Sequence, residues 1–284
     1  MNPARPASSG RQRVLTAAVL VPVTLAVVIF APAALFAVCL FAVAWLAQRE
    51  LYDLAGPGGR AAYRWIGAAG AALLAAAFTW PRAGGWFSPL VAWTILGAAI
   101  LVRGVADPER MEQALGRAGL TFFGIFYPAF LLALLAEVRR APGGAGWIVL
   151  LLVVVWGGDT AAYYAGRAWG RRKLAPRISP KKTWEGTIAS AVAAIVIGAL
   201  FVGLVWNTSW DPGGVRAPLW IGGLLGLAIN IAAQFGDLAE SVIKRGAGVK
   251  DSGVLLPGHG GMLDRIDALL LAIPVLWYFL RLRF

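Results

Sequence analysis

The sequence predicts an all-α fold, a polytopic helical bundle integral to a membrane with about nine crossing helices. Three observations predict it. Hydrophobic residues fill 59% of the 284 positions and charged residues only 14%, against about 25% charged in a soluble domain. Apolar runs close to bilayer length recur along the whole chain. Finally, the Lys and Arg residues gather in alternate connecting segments, as they do beside membrane helices.

A crossing helix needs roughly 20 apolar residues. Candidates lie at about 14–30, 32–47, 65–80, 89–105, 118–136, 147–168, 187–206, 218–236 and 264–281. The first two are short and joined only by Ala31-Pro32, so they read as a helical hairpin or one kinked unit. Arg11 and Arg13 followed by an apolar run imitate a signal peptide. The run continues to Ala47, however, beyond the roughly 7–15 residues of a signal core, and it reads as uncleaved. With the N-terminus inside, the inner segments hold 20 of the 26 basic residues and the outer segments 6, which gives an N-in, C-out orientation. That orientation puts two polar stretches, 167–186 and 241–267, on one cytoplasmic face. Residues 1–140 read as transmembrane scaffold and 141–284 as the catalytic region.

Composition removes several function classes. Cys39 is the single cysteine, so no intrachain disulfide forms. One histidine excludes a His-rich zinc site within the chain. The net charge of +12 is accounted for by topology, and no nucleic-acid partner is expected. The 13 tryptophans sit mostly at segment ends, as an interfacial belt does.

The polar residues within the apolar pattern carry the chemistry. Asn230, Gln234, Asp237, Ser241 and Lys244 follow spacings of 4, 3, 4 and 3, which stack side chains on one helical face. Such a face looks into the bundle or a wet cavity, because a carboxylate at a helix centre costs about 2.5–3.5 kcal/mol in lipid. For Asn230 and Gln234, interhelical hydrogen bonding is the plainer alternative. Asp264 and Asp267, at i and i+3, share a face at the start of the last helix. Acidic residues there also suit the helix dipole, but two on one face, with Arg265 between them and His259 upstream, point to a divalent metal. Hard oxygen ligands suit Mg²⁺, with Asp237 as a third. Lys244, Arg245, Lys250 and Arg265, beside Gly260 and Gly261, suggest a polyphosphate cradle. In the stretch 167–186, Lys181 and Lys182 are candidates to hold an anionic substrate, the alternative being a polybasic loop docked on headgroups. Asp159, inside the sixth helix, is a functional candidate by its position, or else a buried ion-pair partner of Arg167 or of another helix.

The run from Ser241 through Lys244-Arg245, Lys250-Asp251-x-Gly253, Leu256-Pro257-Gly258-His259-Gly260-Gly261 and Leu263-Asp264-Arg265-Ile266-Asp267 resembles the signature of the phosphatidate cytidylyltransferases (CDP-diacylglycerol synthases). Ser179-Pro180-Lys181-Lys182-Thr183-Trp184-Glu185-Gly186 and Gly236-Asp237 are similar to the same family. The resemblance spans roughly 150–284. It implies a Mg²⁺-dependent nucleotidyltransferase that makes CDP-diacylglycerol and pyrophosphate from CTP and phosphatidic acid, as a multi-pass protein of a bacterial inner membrane. It also implies a homodimer. On this reading Lys244, Arg245, Lys250, Asp251, His259 and Arg265 are catalytic. Ser179, Lys181, Lys182, Ser241, Gly260, Gly261 and Asp159 bind substrate, and Asp264, Asp267 and Asp237 hold the metal. Two rival readings are a cytidylyltransferase acting on another lipid phosphate and, in a different class, a transporter of an anionic substrate. The transporter would place its site near the midplane between repeats, whereas here the polar residues cluster at one face and no repeat is visible.

Overall fold

A computed structural model of the chain describes residues 10–56, 62–81, 88–206, 218–255 and 260–283, and these are almost entirely helical. The first half runs α1 (Gly10–Phe30), α2 (Ala33–Leu54), α3 (Arg64–Thr79), α4 (Pro89–Val105), a short 3₁₀ segment (Pro108–Gln113), α5 (Ala114–Gly124) and α6 (Leu131–Arg140). Pro32 interrupts the α1–α2 run in an extended conformation. Ser88 caps α4, its side chain accepting from Val91 N at 3.3 Å. Pro89 stands in the first turn, where a missing N–H costs least. Between α5 and α6 the helix widens over Ile125–Phe130 around Pro128, which has no N–H to donate to the ladder.

α2 outlasts its apolar run by two turns and carries Gln48 and Glu50 inward. Gln48 is buried, and its side-chain amide donates to Gly67 O (3.1 Å) and Gly124 O (2.9 Å), tying α2 to α3 and α5. These bonds satisfy both hydrogens of an amide NH₂ that would otherwise be costly inside the bundle.

The second half runs α7 (Gly144–Trp169), β1 (Lys173–Ala175), β2 (Ser179–Thr183), α8 (Trp184–Phe201), α9 (Leu219–Gly246) and α10 (Leu263–Arg283). The stretch 167–186, read as a polybasic loop, is thus largely a β-hairpin. Its strands are antiparallel, with Lys173 opposite Thr183 and Ala175 opposite Ser179. Strand β2 leads straight into α8, and Thr183 doubles as its N-cap, its hydroxyl accepting from Gly186 N at 3.2 Å. The apolar pattern predicts a helix over 218–236. The helix continues to Gly246, because the stripe from Asp237 to Lys244 finds partners inside the bundle.

Small residues let these helices approach. A Cβ on Gly198 would strike the backbone of Gly222, one on Gly226 the carbonyl of Ala194, and one on Gly236 the carbonyl of Asp267. Close backbone contact at glycines is how helices associate where no hydrophobic drive exists between them. On the outer side of α8, Ile188, Val192, Val196 and Leu200 are exposed at four-residue intervals, an apolar stripe suited to hydrocarbon. Among the described residues, five stretches are long and apolar enough to cross a bilayer: Ala33–Leu54, Pro108–Arg140, Gly144–Trp169, Trp184–Val205 and Leu219–Gly246. Thr16–Phe30, Arg64–Thr79 and Pro89–Val105 are shorter apolar helices. The chain is an all-α polytopic membrane protein, with the hairpin as a small extramembrane addition.

Candidate active site

The polar stripe of α9 divides into three levels. At the first, Asn230 donates to Ser190 Oγ of α8 (2.6 Å) and accepts from Gln234 Nε2 (2.7 Å). Gly158 of α7 lies against both Asn230 and Ser190. Here the plainer alternative holds for Asn230, which ties α9 to α8, while Gln234 bonds to it along the same helix.

At the second level Asp237 meets the hairpin. Lys182 Nζ lies 2.8 Å from Asp237 Oδ2, and Ser241 Oγ lies 3.3 Å from Asp237 Oδ1. Strand alternation turns Lys182 inward and leaves neighbouring Lys181 exposed. Lys182 is further fixed by its position one residue before the α8 cap.

At the third level the Lys244 ammonium bridges two carboxylates. It forms an ion pair with Glu240 one turn back and another with Asp264 Oδ1 of α10 at 2.6 Å. Glu240 is completely buried. It is not among the residues that the sequence pattern singles out, although its spacing from Asp237 and Lys244 places it on the same stripe. Asp264 Oδ2 accepts from Ser252 N (2.9 Å), Ser252 Oγ (3.0 Å) and Gly261 N (2.8 Å). Both oxygens of Asp264 are therefore occupied by protein donors.

Asp267, one turn along α10, accepts from Ala268 N at 2.7 Å and lies within electrostatic range of Asp237 and Lys244. Asp159 of α7 is exposed and within range of Asp237, Lys182 and Arg265. It does not pair with Arg167, whose guanidinium instead reaches Tyr163 Oη at 3.3 Å.

Five carboxylates (Asp159, Asp237, Glu240, Asp264, Asp267) thus share two ammonium groups, Lys182 and Lys244. Such an excess of negative charge is unfavourable where Glu240 and Asp264 are buried, and a bound divalent cation would relieve it. The donor set is all oxygen, which suits Mg²⁺. Asp237, Asp264 and Asp267 could each offer an oxygen to such an ion, Asp237 exchanging contacts with Lys182 and Ser241 and Asp264 contacts with Lys244 and the loop. Among the described residues, no three or more Asp, Glu, His or Cys already surround one point. Mg²⁺ commonly takes one or two carboxylates and completes its shell with phosphate oxygens and water.

The remaining predicted residues lie mostly at the surface. Lys181, Arg245, Lys250, Asp251 and Arg265 are exposed, while Ser179 is half-buried on β2. Arg245 donates to Ile178 O in the hairpin turn (3.3 Å) and to Val249 O (3.0 Å), so it links the hairpin to the end of α9. No ion pair engages Lys181, Arg245, Lys250 or Arg265 among the described residues. Gly260 has φ +78°, and a Cβ there would come 2.5 Å from Asp264 Oδ2. His259 lies outside the described residues.

One participant comes from the first half. Glu50 of α2 accepts from Met262 N (2.8 Å), Leu263 N (2.9 Å) and Ser252 Oγ (2.9 Å). Nothing in the sequence signals this, because Glu50 sits in what the apolar pattern reads as the 48–64 connection.

The profile of the Cytidylyltransferase family matches residues 11–283. A phosphatidate cytidylyltransferase of Pseudomonas aeruginosa is 40% identical over 273 residues, covering 93% of this chain and 94% of that one. One of Brucella suis is 46% identical over 186 residues, 65% of each chain, so the chain spans just under two thirds of that relative's length. One of Synechocystis is 41% identical over 146 residues, 51% of this chain and 46% of the relative. With exposed cations and a carboxylate-rich interior, and with a profile match along nearly its whole length, this chain belongs to the cytidylyltransferase family.

Proposed function

We propose that this chain is a phosphatidate cytidylyltransferase, moving CMP from CTP to phosphatidic acid and releasing pyrophosphate. One observation carries the reading: Asp237, Glu240 and Asp264 of α9 and α10 pair with Lys182 and Lys244, and the exposed cations Lys181, Arg245, Lys250 and Arg265 stand close to them along the chain. Relatives named for the activity support it.

A phosphate monoester is largely dianionic near neutral pH, its second pKa being about 6, so it needs no strong base to become a nucleophile. An oxygen of the lipid phosphate attacks the α-phosphorus of CTP. The bond from that phosphorus to the bridging oxygen breaks, and pyrophosphate leaves with the electron pair. The obstacle is the repulsion of anion by anion, so catalysis rests on positioning and charge neutralisation. Asp237, Asp264 and Asp267 would hold Mg²⁺. When bound, the ion supplies positive charge to phosphate oxygens. Lys182 and Lys181 orient one phosphate group. Arg245, Lys250 and Arg265 hold the triphosphate and the departing pyrophosphate, with Gly260, Ser179 and His259 as further donors and Asp251 nearby in the chain, while Gly261 N holds Asp264. Lys244 and Asp264 keep α9 and α10 in register.

The charge bias of the connecting segments supports an N-in, C-out topology with nine crossings. The site then opens toward soluble CTP and sideways toward lipid, on the cytoplasmic face of a bacterial inner membrane.

Purified protein in detergent with labelled CTP is the test. Pyrophosphate release should require phosphatidic acid, stop with a chelator, and fall off with a polyprenyl phosphate. Asp267→Asn should raise the Mg²⁺ needed for half-maximal turnover by about tenfold or more. Release without lipid acceptor, or equal turnover with the polyprenyl phosphate, would overturn the assignment.

A further inference from the structure

Helix α10 has the problem of every helix, that its first amides have no partner within the helix. Here the partner comes from the opposite half of the chain. The carboxylate of Glu50 takes Met262 N on Oε1 and Leu263 N on Oε2. A negative group there also meets the positive end of the helix dipole. The loop is shaped around this carboxylate: a Cβ on Gly261 would collide with Glu50 Oε2 and Ser252 Oγ, and one on Gly253 would lie 2.6 Å from Glu50 Oε1.

The same loop residues hold Asp264. Ser252 Oγ lies 2.9 Å from Glu50 Oε2 and 3.0 Å from Asp264 Oδ2. A hydroxyl has one hydrogen, so it cannot serve both carboxylates fully. The backbone amides therefore do most of the holding, two for Glu50 and two for Asp264 (Ser252 N and Gly261 N). Asp264 in turn positions Lys244. A continuous path of polar contacts thus runs from α2 through the glycine-rich loop to the charged face of α9.

We infer that Glu50 is a positioning residue for the proposed transfer: it fixes the start of α10 and thereby the placement of Asp264, Lys244 and the cations around them. The inference deepens the proposed function and rests on it for its kinetic arm, while its structural arm stands apart.

Glu50→Gln is the discriminating variant, because its amide NH₂ would face backbone donors where an acceptor is required. We expect kcat to fall by about 10–100-fold, as for other supporting partners of a charged site, with a smaller change in KM for CTP. Hydrogen exchange at Met262 and Leu263 should accelerate, while exchange across α7 and α8 stays as in the parent. Ser252→Ala should be milder than Glu50→Gln. Gly261→Ala should lose activity alone but cost much less in a Glu50→Ala/Ser252→Ala background, where both colliding groups are gone. Parental exchange at 262–263 in Glu50→Gln would overturn the anchor even if the parent protein proved inactive with CTP. Accelerated exchange with unchanged kcat would overturn the link to turnover. Should Glu50→Gln fail to fold, the Gly261→Ala comparison in the two backgrounds decides, and additive losses there would sink the idea.

Discussion

Lys182 and Asp237 meet at 2.8 Å, joining an extramembrane hairpin to a helix buried in the bundle. Both are partly exposed, with side-chain accessibilities of 23% and 34%, so the pair is open to solvent and to incoming ligand. An exposed ion pair of this kind is worth only about 0.2–1 kcal/mol. Its importance therefore lies in where it holds an ammonium group rather than in stability.

Lys182→Gln should separate the two roles. Thermal unfolding in detergent should change by no more than about 1 kcal/mol, while CTP- and lipid-dependent turnover falls by about 100-fold or more, in the range for loss of a preorganised charge. A large fall in melting temperature with turnover per folded molecule preserved would show that Lys182 is structural.

Lys244 belongs to the opposite regime. Its partners are a fully buried Glu240 and an Asp264 with 6% side-chain accessibility. Removing one member of a buried set leaves uncompensated charge and costs about 3–5 kcal/mol. Lys244→Met should lower the melting temperature markedly, and adding Glu240→Gln should restore part of the loss. A double variant no more stable than Lys244→Met would mean that Glu240 is not the residue left stranded.

The α8–α9 seam tests how the site is held from below. A side chain on Gly226 would enter the Ala194 carbonyl, and overpacking of this kind costs about 1–3 kcal/mol. Gly226→Val should destabilise the protein by that amount and disturb the Ser190–Asn230 contact. Gly116→Val, at a position open to space, should change stability far less. Equal effects of the two substitutions would argue against a tight seam.

Much of the site was legible because helical periodicity leaves a trace in sequence. Asp237, Ser241 and Lys244 fall on one face by spacing alone, and α9 presents them together. Asp264 and Asp267 sit at the start of α10, as an acidic pair after two glycines suggests. The division of labour among them was not legible. Asp264 accepts from Lys244 and the loop, Asn230 ties α9 to α8 with Gln234 bonded to it along α9, and Glu240 is the buried counterion of Lys244. Each assignment depends on which donors another segment brings to the same point. The hairpin was missed because a short, basic, proline-containing stretch has no alternating apolar signal, and its pairing is closed by neighbours: Trp184 N donates to Arg172 O at 3.0 Å, and Glu185 accepts from Arg172 N.

Low charge, bilayer-length apolar runs and a run of polar residues at helical spacing were enough to determine a membrane-embedded helical protein with its chemistry gathered near the last two helices. Hydrophobicity and periodicity are local properties, written residue by residue along the chain. Only the tertiary structure decided that Glu50 caps the final helix, that Lys182 reaches Asp237, and that Asp264 completes the pairing of Lys244. Those contacts join segments remote from one another in the chain. What fixes them is backbone approach at glycines and the demand that every buried donor and charge find a partner, neither of which any one segment contains alone.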